Sequence, residues 1–188
     1  MTIDRRIQKT TANIENVFMK LLQKKDISKI TIKNLCDEAL ISKSTFYDHY
    51  SDKYALADTI INQYANQFQN QIHQRFLSIT ERNSLEVISK ITQEIALENQ
   101  NVATILSIST LHGSLEQRLK TILLNEAQNY FNEHHTYQKF DADFLATMYS
   151  ELAFASISFT IKNYSKDGFI DQQNRFVILL QEFLIQHF

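Results

Sequence analysis

Between Ser42 and Lys53 the chain reads Ser-Lys-Ser-Thr-Phe-Tyr-Asp-His-Tyr-Ser-Asp-Lys, a run of hydroxyls, ammonium groups and an imidazole interleaved with aromatic rings. On a helix beginning at Lys43, Phe46 and Tyr50 stand one turn apart and turn inward, while Lys43, Ser44, Thr45, Tyr47 and His49 occupy the other face. Short hydrogen-bonding side chains on an outward helical face suit a DNA major groove about 12 Å wide, where bulky apolar groups would be left without partners. The phosphates that flank such a groove require donors at its edges. The Tyr47 hydroxyl, the His49 imidazole and the Lys53 ammonium can supply them. Lys53 would also stand in the first turn of the next helix, where free backbone N–H groups and the helix dipole attract an anion.

Other chemistry is poorly represented. The 188 residues include no Pro and only two Gly, at 113 and 168, and neither belongs to a Walker or dinucleotide fingerprint. The single Cys36 cannot form an intramolecular disulfide, and no CxxC or HxxxH spacing points to zinc, so it reads as a packed core residue. Ser, His and Asp are scattered without catalytic spacing. No enzymatic activity, cofactor or metal is expected. The N-terminus lacks the apolar core of a signal peptide and no run reaches eighteen uninterrupted apolar residues, which leads to an expectation of a cytoplasmic protein. The net charge of −2 divides unevenly: residues 1–54 carry ten Lys and Arg against seven Asp and Glu, and residues 55–188 carry nine against fourteen. A basic N-terminal part and an acidic remainder suggest that only the first meets an anionic partner.

The elements that must carry these side chains are helical. Ile14, Val17, Phe18, Leu21 and Leu22 define a first helix over 10–23. Ile27 to Ile30 is too short for a helix, and Thr31 can cap a second with Ile32, Leu35, Cys36 and Ala39 inside. Ser42 can cap the third over 43–50, and Ser51 or Asp52 opens a long fourth helix reaching about Leu77. Further helices are expected near 84–98, 101–111, 115–134, 143–164 and 172–187, with both glycines between them at helix-terminating positions. The expected fold is all-α, with about nine helices: a three-helix helix-turn-helix domain at 1–52, then a helical bundle at 53–188.

Ile30-Thr31-Ile32 through Ala39, followed by Ser-x-x-Thr-aromatic-Tyr-x-His-aromatic-x-x-Lys from Ser42 to Lys53, resembles the DNA-binding domain of the TetR family of transcriptional regulators. The similarity covers roughly residues 8–58. It implies phosphate or base contacts for Thr45, Tyr47, His49 and Lys53, and places Lys43 and Ser44 at the start of the recognition helix. Ser42 reads as a structural cap. Two positions depart from the family pattern. Leu40 stands where Gly or Asn is frequent, and in a left-handed conformation it would bear roughly 1–2 kcal/mol of strain. Asp48 would repel DNA unless it turned to Lys43 or Lys53.

The resemblance also implies a homodimer formed through the last two helices, whose apolar faces are too wide for one small domain to cover. Such a dimer would bind a pseudo-palindromic double-stranded operator, as a repressor. Ile161-Lys162-Asn163-Tyr164 followed by Gly168 is similar to a shorter subgroup from low-G+C bacteria that includes activators and repressors. A small-molecule effector would lie in the core of the C-terminal domain, lined by Tyr64, Phe68, His112, Phe131, Met148 and Tyr149. The alternatives are an activator on the same fold and a helical protein-interaction module.

Overall fold

Each of the first four helices begins at a side chain able to replace a missing backbone acceptor or follows an apolar stripe that needs cover. The computed structural model describes residues 5–79, 99–110, 112–133, 140–163 and 168–187. Helix α1, Arg5–Leu22, buries Ile14, Val17, Phe18 and Leu21 at the expected helical spacing. It starts five residues before the expected helix does, because Arg5 to Lys9 are exposed and their one apolar residue, Ile7, lies outside the core. A 3-10 turn at Ile27–Lys29 follows, capped by Asp26. The Asp26 carboxylate accepts the Ser28 hydroxyl at 2.6 Å and the Ser28 amide at 2.8 Å, and these two bonds hold its pKa below the usual range.

Helix α2, Ile32–Ala39, is capped by Thr31, whose hydroxyl accepts from the Asn34 amide at 3.1 Å. Helix α3, Lys43–His49, is capped by Ser42 accepting from the Thr45 amide at 3.0 Å. In α4, Lys53–Ile79, the Asp52 carboxylate receives the amides of Tyr54 and Ala55 at 2.7 and 2.8 Å. Thr31 and Ser42 are the caps expected from sequence, and of the two candidates for α4, Ser51 and Asp52, it is Asp52 that caps.

The turn between α2 and α3 is fixed from several sides. Leu40 adopts the left-handed conformation, φ 56° and ψ 43°, and is the only non-glycine residue with positive φ among those described. Its amide and that of Ile41 both donate to the Cys36 carbonyl. Asn13 of α1 donates its side-chain amide to the Ala39 carbonyl at 2.8 Å. The Leu40 side chain is 91% exposed, so no burial offsets its backbone strain.

A second clamp holds the 3-10 turn. Lys53 Nζ donates to the carbonyls of Ile27, Ser28 and Ile30 at 2.8, 3.1 and 2.8 Å. An ammonium has three protons, and here three carbonyls take them. Tyr50 completes the frame: its hydroxyl donates to Glu15 at 2.9 Å, and Gln63 of α4 donates to the same carboxylate oxygen at 3.0 Å. Burial, reinforced by Glu15, pushes the Tyr50 phenol well above its ordinary range.

Beyond α4 come α5, Asn99–Leu106; α6, Leu115–Glu133; α7, Ala142–Asn163; and α8, Phe169–His187. The expected helix at 101–111 ends early. Strands β1, Ser109–Thr110, and β2, Gly113–Ser114, form an antiparallel hairpin in its place. Gly113, at φ 105°, serves this hairpin and does not terminate a helix, a correction with a local cause: Thr110 turns its hydroxyl to Asp58 of α4. Gly168, at φ 70°, immediately precedes α8. The expected helix at 84–98 lies outside the described residues. Those residues contain eight α-helices in an otherwise all-helical architecture, close to the expected number.

Helix α6 buries Leu115, Leu119, Leu123, Ala127 and Phe131 against α4 and α7. Helix α7 is long and apolar enough by composition to cross a membrane, yet less than half of it is buried inside the chain. Its inner face, including Leu145, Ala146, Tyr149 and Phe154, joins a core that continues through Leu56, Ile60 and Ile61 of α4 to Ile14 and Phe18 of α1. Phe144, Met148, Leu152 and Phe159 point outward at 40–55% exposure.

Two stability measurements check these clamps by urea unfolding. Leu40→Gly should raise the unfolding free energy by about 1 kcal/mol, because glycine adopts the left-handed conformation without a Cβ penalty; a loss of stability would contradict the strain assignment. Lys53→Met keeps the apolar stem but removes three donors, and should lower stability by roughly 2 kcal/mol. An unchanged midpoint would remove Lys53 from the frame.

Candidate nucleic-acid interface

The outer face of α3 is built by anchoring its inner face. Phe46 is fully buried and Tyr50 nearly so, which turns Lys43, Ser44 and Tyr47 outward, all exposed, with Thr45 and His49 half-buried at the margins. The Tyr47 ring meets Phe46 edge-on at 5.6 Å and remains 55% exposed. Its ring is thus positioned by packing while much of the side chain stays open to solvent.

Lys43 has no carboxylate partner among the described residues, and Ser44 has no hydrogen bond there. Both remain available to an outside group. The Thr45 hydroxyl lies 2.9 Å from that of Ser42 and is partly engaged in the cap. His49 Nδ1 lies 3.1 Å from Thr11 Oγ1, which steadies the ring against α1 and leaves Nε2 for a further partner. These five residues share one short helix, as expected.

Lys53 is placed differently from the sequence expectation. Its three protons point to backbone carbonyls, and the Tyr54 and Ala55 amides of α4 are taken by Asp52. The ammonium and two of the amides expected to draw a phosphate there are already satisfied within the chain. Asp48 also departs from expectation: it is exposed and forms no ion pair with Lys43 or Lys53 among the described residues. Sequence reading missed Thr11 and Asn13, which steady His49 and the turn from α1. The exposed Arg5, Arg6 and Lys9 precede Thr11 on the same helix and add positive charge beside this face. Their signal in the sequence is the excess of Lys and Arg in the N-terminal part.

The six side chains expected to line an effector cavity do not converge. Phe68, Phe131 and Tyr149 are buried in the shared core, where Phe76 packs edge-on to Tyr149 at 5.4 Å. Tyr64 is half-buried beside a separate groove with Glu15, Met19 and Gln63. Met148 is 46% exposed on the outer stripe of α7, and the His112 side chain is 74% exposed on the hairpin. Periodicity marked them as apolar-face or break positions but could not say which face each helix would present to its neighbours.

Comparison with known proteins agrees with this geometry. Residues 18–60 match the family model described as bacterial regulatory proteins, tetR family. A curated relative, the uncharacterized HTH-type transcriptional regulator YxbF of Bacillus subtilis (strain 168), is 38% identical over 60 residues. That match spans 31% of this chain and 16% of YxbF. Over nearly the whole chain, the fold is shared with a TetR transcriptional regulator from Streptococcus agalactiae 2603V, at TM-score 0.62 and 23% identity, covering 95% of this chain and 96% of that one. It is shared too with NalD, the secondary repressor of the MexAB-OprM multidrug efflux pump in Pseudomonas aeruginosa, at TM-score 0.66 and 12% identity, covering 93% and 96%. The helix-turn-helix of this chain is thus similar in sequence to that of TetR-family regulators, and its helical body shares the architecture of solved members of that family.

Proposed function

We propose that this protein is a homodimeric repressor that binds a pseudo-palindromic operator, with α3 of each subunit in the major groove, and that a small-molecule effector releases it. The observation that carries this reading is the outer face of α3, where an ammonium without a counter-ion among the described residues, the Ser44 hydroxyl and an exposed tyrosine stand on a helix anchored by Phe46 and Tyr50. Lys43 and Ser44, at the helix start, are assigned to base edges, with Thr45, Tyr47 and His49 assigned to the groove margin and phosphates. Lys53 acts as a positioning residue: it holds the 3-10 turn that leads into α2. Residues 1–52 form the reading unit and residues 53–188 the assembly body. NalD, of similar fold, is a repressor, which supports the sign of regulation proposed here.

The exposed apolar surface supports the proposed dimer. Phe144, Met148, Leu152 and Phe159 of α7, with Phe176 and Leu179 of α8, are 40–63% exposed. Each would gain on the order of 1 kcal/mol or more from burial against a second copy. Two recognition helices related by a two-fold axis would then meet half-sites roughly 34–36 Å apart.

Selection from a randomised duplex DNA library should enrich a pseudo-palindrome, and binding should weaken steeply with salt. Tyr47→Phe should reduce affinity for all sequences alike, about fivefold, whereas Lys43→Ala should alter the enriched sequence. An unselected library, or equal effects of the two substitutions, would contradict the assignment. Leu152→Glu, measured by light scattering with helical content followed by circular dichroism, should yield a folded monomer with weakened DNA binding. A dimer that persists would displace the interface from the α7 stripe.

A further inference from the structure

Helices α4 and α6 and the β1–β2 hairpin enclose an open groove of about 400 Å³ in which polar side chains are set beside Ala65 and Ile122. Asn62, Asn66 and Gln69 face it from α4, and Gln117, Arg118 and Thr121 from α6. Arg118 is the charge at its centre. The guanidinium is half-buried, yet no carboxylate lies within ion-pair distance of it among the described residues. Its bonds go to neutral carbonyl oxygens alone: Nη1 donates to Asn62 Oδ1 at 2.6 Å and Nη2 to the His112 carbonyl at 3.4 Å. Nε is buried and has no acceptor.

The nearby acids are committed elsewhere. Asp58 accepts the Thr110 hydroxyl at 2.5 Å, with His112 Nε2 at 3.8 Å from its other oxygen, and Glu116 lies 3.5 Å from the Lys120 ammonium. A partly desolvated guanidinium that forms only neutral hydrogen bonds and leaves its buried Nε–H without an acceptor is a poor structural peg. An uncharged side chain could tie α6 to Asn62 without that cost. The same group is well suited to an oxyanion, because charge-assisted bonds to a carboxylate or phosphate are about twice as strong as those to an amide oxygen.

We propose that this groove binds a small oxyanion, a carboxylate or phosphate compound, through Arg118, with the amides of Asn66, Gln69 and Gln117 and the hydroxyl of Thr121 reading its remaining oxygens. Binding exchanges the Asn62 and His112 acceptors for the anion. Those two bonds are cross-links, one from α6 to α4 and one from α6 to the hairpin, and their loss frees α4 at a point two to three turns from the Lys53 clamp. The site lies outside the aromatic core and shares only His112 with the effector lining expected from sequence. Its regulatory consequence rests on the DNA-binding reading, but occupancy of the site does not.

The experiment is an isothermal titration of the full chain, without DNA, with inorganic phosphate and separately with citrate at fixed ionic strength. Either probe should bind the wild type, and Arg118→Gln should weaken that binding at least about tenfold. Asn62→Asp supplies an internal carboxylate to Arg118, and should abolish binding while raising the thermal midpoint, which separates loss of the site from loss of the fold. Binding of phosphate alone or of citrate alone identifies the class of anion. Equal affinity in the wild type and both variants, or no heat from either probe, would overturn the proposal. The readout contains no DNA, so that failure would leave the DNA-binding reading standing, and a failure to bind DNA would leave the anion site standing.

Discussion

Three backbone carbonyls of the turn between α1 and α2 converge on one ammonium, and the attitude of the whole reading head depends on that convergence. Lys53 stands at the first position of α4, so its bonds to Ile27, Ser28 and Ile30 tie the long helix to the turn that delivers α2. Tyr50 and Gln63 meet on Glu15 and join the end of α3 and the body of α4 to α1. Asn13 holds the turn before α3 from the same helix. Each bond is modest alone. Together they allow a seven-residue helix, too short to persist by itself, to present a fixed outer face.

The features legible in the sequence were those decided by local chemistry. Thr31, Ser42 and Asp52 cap because a short oxygen-bearing side chain before an apolar period satisfies amides that have no other acceptor. Phe46 and Tyr50 had to face inward once the helix began at Lys43. The missing features depended on contacts distant in sequence. Lys53 has the same side chain whether it meets a phosphate or a carbonyl, and only the position of the 3-10 turn distinguishes them. Met148 obeys the helical period of α7 but lies on its outer side, and the hairpin at 109–114 forms where Thr110 meets Asp58, 52 residues earlier. Leu40 shows the reverse case, since a departure visible in the sequence identified a strained backbone that the structure contains.

Composition acquires a physical meaning from these contacts. With no proline and two glycines, the chain starts α2, α3 and α4 with capping side chains and ends α2 on a left-handed leucine where glycine would be easier. Charge and apolar surface are separated along the molecule. The N-terminal part carries unpaired basic and hydroxyl groups on α3, whereas α7 and α8 expose the apolar stripe. The proposed roles, DNA reading at one end and assembly at the other, fit this division, and α4 is the element common to both.

The most direct test is a crystal structure of the chain bound to its selected duplex, in which the position of Lys53 Nζ is the measurement. The account predicts α3 in the major groove, Lys43 and Ser44 at base edges, and Lys53 still within hydrogen-bond distance of the Ile27, Ser28 and Ile30 carbonyls. A Lys53 ammonium on a phosphate with those carbonyls released, or an α3 that lies away from the groove, would contradict it.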